Sequence, residues 1–91
     1  MNKKVGFIGA GKMAQAMIEG ILKSKLISTE NIMASASTEK TIDYINKTYG
    51  IIATTNNKDV LRFADILILA VNPDLYPMII DEIKHEMNQN T

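Results

Sequence analysis

The chain has 91 residues, 46% of them hydrophobic, with ten basic and ten acidic side chains and no cysteine. This length predicts a single globular domain. The zero net charge argues against nucleic-acid or anionic-membrane partners, because both bind concentrated positive charge. Without cysteine, disulfides and thiolate metal sites are excluded, and packing alone must hold the core.

The first residues resemble the start of a signal peptide, but Gly9, Gly11 and Lys12 interrupt the apolar stretch that follows. The longest apolar run, residues 66–71, is far shorter than the roughly 20 residues that span a bilayer. We therefore expect a cytoplasmic chain without a membrane partner.

Short apolar runs alternate with segments of helical periodicity, an order that predicts a parallel sheet covered by helices. The predicted strands are residues 5–8, 32–34, 51–53 and 66–71. The predicted helices are residues 12–22, a segment between a Thr38 cap and Gly50, residues 58–63 capped by Asn56 or Asn57, and a segment capped by Asp74 that carries Tyr76, Ile79, Ile80, Ile83 and Met87. The fourth strand is apolar on both faces and is expected in the middle of the sheet.

This order predicts an α/β fold, an incomplete Rossmann-type doubly wound sheet with four strands and four helices. Residues 1–91 would form one truncated NAD(P)-binding domain, because the polar residues 87–91 are typical of a loop that leads to a further strand.

Residues 9–14, Gly-Ala-Gly-Lys-Met-Ala, form a G-x-G-x-x-A pattern between a predicted strand and a predicted helix, where a dinucleotide fingerprint belongs. Gly9 permits the tight turn, and Gly11 lets the backbone approach a pyrophosphate. Ala14 is small enough for the helix to lie on the strand. The N–H groups at the helix N-terminus then face the phosphates, so we predict a dinucleotide site here.

The end of the second predicted strand, about 20 residues beyond the fingerprint, carries no acid for a ribose 2′-hydroxyl. Ser35, Ser37 and Thr38 supply hydroxyls there instead, with Lys40 one turn inward. A 2′-phosphate would meet donors, which favours NADP(H) over NAD(H), although Glu39 also lies close and NAD(H) remains an alternative.

The exit of the fourth strand, Ala70, Val71, Asn72 and Pro73, would face the same cofactor, because ligands lie across the carboxyl ends of parallel strands. Asn57 would lie on this rim, near the adenosine half. A helix cap without any cofactor contact explains Asn57 equally well.

No catalytic residue and no metal site can be assembled from the sequence, which has a single histidine and no clustered carboxylates. His85 is expected on a solvated helix face. Asp43, Asp81 and Glu82 are likewise expected on outer faces.

Three segments together resemble the pyrroline-5-carboxylate reductases: VGFIGAGKMA at 5–14, MASAS at 33–37 and ADILILAVNP at 64–73. The resemblance implies a reductase that uses NADPH to convert the small-molecule imine 1-pyrroline-5-carboxylate to L-proline. It also implies which residues line the cofactor site, namely Ile8, Gly9, Ala10, Gly11, Lys12, Met13, Ser35, Asn57, Ala70, Val71, Asn72 and Pro73.

The chain departs from this family at Asn72, where lysine is usual, at Asp74, and in length. Members of the family continue into a helical domain that forms the homo-oligomer, so the 91 residues alone are expected to be inactive. Two alternatives stay open: a related dehydrogenase of the β-hydroxyacid type, which usually has glycine where Ala14 stands, and a non-catalytic nucleotide-binding module. A domain that binds S-adenosylmethionine is disfavoured by the missing acid after the second strand.

Overall fold

A computed structural model describes residues 2–86, which form four strands and four α-helices. The strands are β1 (Val5–Ile8), β2 (Ile32–Ser35), β3 (Ile52–Thr54) and β4 (Ile66–Leu69). The helices are α1 (Lys12–Ser24), α2 (Glu39–Tyr49), α3 (Asn57–Phe63) and α4 (Tyr76–Ile83), and single 3-10 turns lie at Thr29–Asn31, Pro73–Leu75 and Lys84–Glu86. Strands and helices alternate as the sequence predicts.

The strands form one parallel sheet in the order β3-β2-β1-β4. Val5 is level with Ile32 on one side and with Ile66 on the other, so β1 lies between β2 and β4. The predicted central position of β4 is therefore wrong for the described sheet. This strand is at the edge, and Ile66 is 39% exposed.

Helices cover both faces of the sheet, which confirms the doubly wound arrangement. On one face α1 and α2 pack Ile18 and Ile45 over Phe7 of β1. On the other face α3 and α4 place Val60 and Ile79 in a second core with Ile8. Because successive residues of β1 point to opposite faces, this four-residue strand contributes to both cores.

Capping side chains and a glycine determine where α2 begins and ends and where α3 begins. The Thr38 hydroxyl accepts a hydrogen bond from the Thr41 N–H at 3.3 Å, and Gly50 ends α2 with φ at 70°. Asn56 rather than Asn57 caps α3, because its side chain accepts from the Lys58 N–H at 2.9 Å. These caps start α2 and α3 directly beyond the ends of β2 and β3.

The region after β4 differs from the prediction. The strand ends at Leu69, and a 3-10 turn over Pro73–Leu75 precedes α4. The side chain of Asn72 accepts from the Asp74 N–H at 3.0 Å and so caps the 3-10 turn. The helix α4 follows Leu75 without a side-chain cap, so the predicted Asp74 cap is wrong. Met87, predicted on the same helix, lies outside the described residues.

Across residues 2–86, no helix has the length and apolar character needed to cross a membrane.

Candidate functional site

A cleft of about 710 Å³ opens at the carboxyl ends of β1, β2 and β4. Its walls come from the turns that follow these strands and from α3 and α4. The lining residues are Ile8, Gly9, Ala10, Gly11, Ser35, Ala36, Ser37, Thr41, Thr55, Asn57, Ala70, Val71, Asn72, Leu75, Met78, Ile79 and Glu82. The cleft thus lies at the sheet edge where open parallel sheets bind ligands.

The turn after β1 presses against the exit of β4. Gly9 has φ at 107°, in the region that side chains avoid, and a Cβ built on it would lie 2.5 Å from the Ala70 carbonyl oxygen. The Ala70 N–H in turn donates to the Ile8 carbonyl at 2.9 Å. Only glycine fits this position, as the sequence predicts for the first residue of the fingerprint.

Gly11 plays a different part in the same turn. It precedes α1 with φ at −79°, and a Cβ there would meet no protein atom within 4 Å. No side chain caps the N-terminus of α1. The first-turn N–H groups of a 13-residue helix therefore face a space that a side chain at Gly11 would partly fill, an arrangement suited to an anionic ligand.

The Gln15 side chain fixes the peptide between these two glycines. Its Nε2 donates to the Ala10 carbonyl at 2.9 Å, and its Oε1 accepts from the Tyr49 hydroxyl at 3.4 Å. In a trans peptide the carbonyl and the following N–H point in opposite directions, so holding the Ala10 carbonyl also orients the Gly11 N–H. In the sequence, Gln15 shares the polar side of this helix with Lys12 and Glu19, and nothing in that spacing indicates the contact.

Burial raises the pKa of Tyr49, and the charges that Tyr44 and Glu19 can carry raise it further. The phenol therefore stays protonated and keeps its proton for the Gln15 contact well beyond neutral pH.

At the exit of β2, Ser35 is buried and joins three parts of the chain. Its hydroxyl donates to Asn57 Oδ1 at 2.6 Å and accepts from the Gly9 N–H at 3.3 Å. Asn57 Nδ2 then donates to Glu82 Oε1 at 3.4 Å. A chain of hydrogen bonds thus runs from the turn after β1, through the exit of β2 and the first residue of α3, to α4.

The turn from β2 into α2 supplies further polar groups. Ser37 and Thr41 line the cleft, whereas Thr38, which caps the helix, and Lys40 do not. Glu39, the first residue of α2, is exposed and also lies outside the lining residues. The serine hydroxyls predicted to meet a 2′-phosphate are therefore present, but the predicted lysine is not among the cleft residues.

The structure brings the predicted cofactor residues to this cleft, except for Lys12, Met13 and Pro73. Lys12 and Pro73 directly follow lining residues in the chain, whereas Met13 does not. Met13 is 56% exposed on α1. Within residues 2–86, no three His, Asp or Glu side chains are grouped so that they could hold a metal ion. His85 is exposed, as predicted.

The lining residues that follow the exit of β4 carry no signal in the sequence that would mark them as part of a cleft. Leu75 and Met78 expose apolar side chains on the cleft wall, at 42% and 63%. Glu82 is exposed, as predicted, but it also lines the cleft, where its carboxylate accepts from Asn57 Nδ2. Helical periodicity separates buried from exposed positions, but it does not reveal that exposed residues of α4 line a cleft.

Residues 4–91 match the profile of the family described as NADP oxidoreductase, coenzyme F420-dependent. The chain is 40% identical over 86 residues to a pyrroline-5-carboxylate reductase of Methanosarcina acetivorans, covering 94% of this chain and 32% of that protein. It is 38% identical over 87 residues to pyrroline-5-carboxylate reductase 2 of Rattus norvegicus, covering 93% and 27%.

Among solved structures, the fold is similar to a pyrroline carboxylate reductase of Plasmodium falciparum with NADP bound, with a TM-score of 0.77 at 28% identity, covering 92% of this chain and 29% of that one. A pyrroline-5-carboxylate reductase of Coxiella burnetii gives a TM-score of 0.89 at 24% identity, covering 98% and 33%, and shows the Rossmann-type fold alone. The chain spans a third or less of the length of these relatives.

Proposed function

The chain belongs to the family of coenzyme F420-dependent NADP oxidoreductases, and from that premise we propose that it is the cofactor-binding part of a pyrroline-5-carboxylate reductase. The proposed reaction is the NADPH-dependent reduction of 1-pyrroline-5-carboxylate to L-proline. Residues 1–91 are proposed to be one truncated NAD(P)-binding domain of this enzyme, with NAD(H) as a second cofactor that the cleft can accept.

The fingerprint turn is the observation that carries this proposal. Gly9 closes the turn against Ala70, and Gly11 leaves open space in front of the uncapped N-terminus of α1. This arrangement fits a pyrophosphate, because backbone N–H groups can reach it without a Cβ in the way. The similarity to relatives named as pyrroline-5-carboxylate reductases supports the substrate.

The bound nicotinamide cofactor would supply the hydride that reduces the C=N bond. The residues of this chain are proposed to bind the cofactor and to orient its nicotinamide ring. We assign the pyrophosphate to the backbone of Ala10 and Gly11, with Lys12 and Met13 following in the first turn of α1. We assign the adenosine half to Ser35, Ser37 and Asn57.

The nicotinamide half would lie against the exit of β4, where Ala70, Val71 and Asn72 line the cleft beside the predicted Pro73. The side chains of Leu75 and Met78 offer an apolar wall there, which would limit the access of water to the reacting carbon. Asn72 keeps its side-chain oxygen on the Asp74 N–H, so the backbone of this turn is fixed before any ligand arrives.

The substrate pocket is proposed to lie in parts of the enzyme outside these residues, because the chain spans a third or less of the length of its relatives. The enzyme is further proposed to be a cytoplasmic homo-oligomer that binds neither nucleic acid nor membrane. The zero net charge supports the absence of polyanionic partners.

The test compares the 91-residue chain with the product of its whole uninterrupted reading frame. NADPH binding is measured by the fluorescence of the reduced nicotinamide, and turnover by its absorbance with 1-pyrroline-5-carboxylate as substrate. Binding by both chains and proline formation by the longer chain alone are expected. Absence of NADPH binding by folded protein would overturn the cofactor assignment. Binding without turnover of this imine in the long chain would overturn the substrate assignment and favour a β-hydroxyacid dehydrogenase or a non-catalytic module.

A further inference from the structure

We propose that Glu82 is a specificity-determining residue of the cleft. Its carboxylate weakens the binding of a dinucleotide that carries a phosphate on the adenosine ribose, relative to one that carries only hydroxyls there. This inference rests on the proposed function, namely that the cleft binds a nicotinamide dinucleotide.

The charge of the cleft is the first observation. Among the cleft residues within the described 2–86, Glu82 alone has an ionisable side chain, and it is an acid. The lysines nearest in sequence to the two phosphate-facing turns, Lys12 and Lys40, are not lining residues. No lysine or arginine of the described lining therefore offsets the repulsion between this carboxylate and an additional phosphate.

The position of the carboxylate is the second observation. Glu82 Oε1 accepts from Asn57 Nδ2 at 3.4 Å, and Asn57 Oδ1 lies 2.6 Å from the Ser35 hydroxyl. A single amide side chain thus links the carboxylate to the exit of β2, where the adenosine ribose is assigned. An acid from α4 stands close to the end of the second strand, although the sequence places none on that strand itself.

The direction of these hydrogen bonds also favours a ribose hydroxyl over a phosphate. The Ser35 hydroxyl donates its only hydrogen bond to Asn57 Oδ1, and the Asn57 amide donates to Glu82 Oε1. Since the hydroxyl oxygen also accepts from the Gly9 N–H, Ser35 has one acceptor lone pair and no donor left for a ligand. A ribose hydroxyl can donate to that acceptor, whereas an ionised phosphate oxygen can only accept. Recognition of a 2′-phosphate is left to the second Asn57 amide N–H, to Ser37 and to the first turn of α2.

The size of the effect follows from distance and screening. A carboxylate and a phosphate dianion separated by on the order of 10 Å at a solvent-exposed cleft repel one another moderately, and physiological salt screens much of that repulsion. Removal of the charge is therefore expected to raise the preference for NADPH over NADH by about twofold to fivefold.

Glu82→Gln tests the charge, because the glutamine carbonyl oxygen can still accept from Asn57. Asp81→Asn is the matched control. It removes the same charge from the neighbouring position of α4, where Asp81 pairs with Lys84 at 2.7 Å outside the cleft. The dissociation constants of NADPH and NADH are measured for each variant by nicotinamide fluorescence at about 0.05 and 0.5 M salt, with circular dichroism as the check of folding.

The expected result is that Glu82→Gln raises the NADPH preference at low salt, that Asp81→Asn leaves it unchanged, and that the difference shrinks at high salt. An NADPH preference that responds equally to both substitutions, or to neither, would overturn the inference while leaving the cofactor assignment intact. Failure of both dinucleotides to bind any folded variant would overturn the proposed function and this inference together. Should Glu82→Gln not fold, Glu82→Ala replaces it with the same expected change.

Discussion

The Ser35 hydroxyl and the Asn57 side chain meet through a 2.6 Å hydrogen bond that joins the exit of β2 to the first turn of α3. Ser35 is 2% exposed, so the bond is shielded from water on one side while Asn57 faces the cleft. The pair therefore belongs both to the folded core and to the lining of the cleft. A substitution there is expected to affect stability and, under the proposed function, ligand binding together.

Ser35→Ala is expected to lower the free energy of unfolding by about 1–2 kcal/mol, because Asn57 Oδ1 loses a short hydrogen bond at a partly buried position. Thermal unfolding followed by circular dichroism measures the change. Ser37→Ala is the control, since Ser37 is exposed on the same rim. Equal unfolding temperatures for the two variants would show that the Ser35 bond contributes nothing to stability.

Gly9→Ala is expected to destabilise the chain by about 2–4 kcal/mol, because φ at 107° is unfavourable for alanine and the added Cβ would collide with the Ala70 carbonyl oxygen. Gly20→Ala, within α1 where a Cβ meets nothing within 4 Å, should instead stabilise the chain by about 0.5–1 kcal/mol. Urea unfolding of the two variants measures these opposite changes in the free energy of unfolding. A Gly9 variant as stable as the wild type would contradict the close contact with β4.

Gly11→Ala separates binding from folding. The backbone angles of Gly11 suit alanine and the space around it is open, so the unfolding temperature should change by less than about 4 °C. NADPH binding should weaken about tenfold or more, because the new methyl group occupies the approach to the N-terminus of α1. Unchanged affinity, measured by nicotinamide fluorescence, would place the pyrophosphate elsewhere.

Tyr49 predicts a dependence of stability on alkaline pH. Burial raises its pKa above the ordinary value of 10.0, so the unfolded chain releases the phenolic proton at a lower pH than the folded chain does. The contribution of Tyr49 to stability is fully present below pH 10.0 and is lost as the pH rises through the higher folded pKa.

Thermal unfolding of wild type and Tyr49→Phe at about pH 8 and pH 10.5 checks this sign. The unfolding temperature of the wild type should fall more between the two values than that of the variant. Equal falls would indicate that Tyr49 titrates alike in both states. Tyr44→Phe, at a 52% exposed position, controls for the loss of one phenol and should behave more like the wild type.

The sequence predicted the order of elements and most cleft residues, because strand, turn and helix signals are local. The G-x-G-x-x-A pattern directly indicated Gly9 and Gly11, and a parallel sheet brings strand exits to one edge whatever the details of packing. The predicted ends of strands and helices were wrong where tertiary contacts determine them. The fourth strand ends at Leu69 rather than at residue 71, because Ala70 lies against Gly9.

Gln15 and Glu82 could not be predicted in the same way. Both stand on polar sides of helices, and a polar side chain in solvent has the same sequence pattern as one that reaches back to a turn. The contact of Gln15 with Ala10 spans five residues, whereas that of Glu82 with Asn57 spans 25 and depends on how α4 lies on α3. The second kind of contact requires the three-dimensional packing of the two helices.

The pairing of β4 with β1 also bears on how the chain folds. The Lys4 N–H donates to the Asp65 carboxylate at 3.0 Å across a sequence separation of 61 residues, and β4 then pairs with β1 along its length. Loop closure makes such distant contacts slow to form. Since the cleft needs the exit of β4 for one wall, a chain in which β4 has not paired with β1 is expected to lack affinity for nucleotide, and nucleotide binding would report when this pairing is complete.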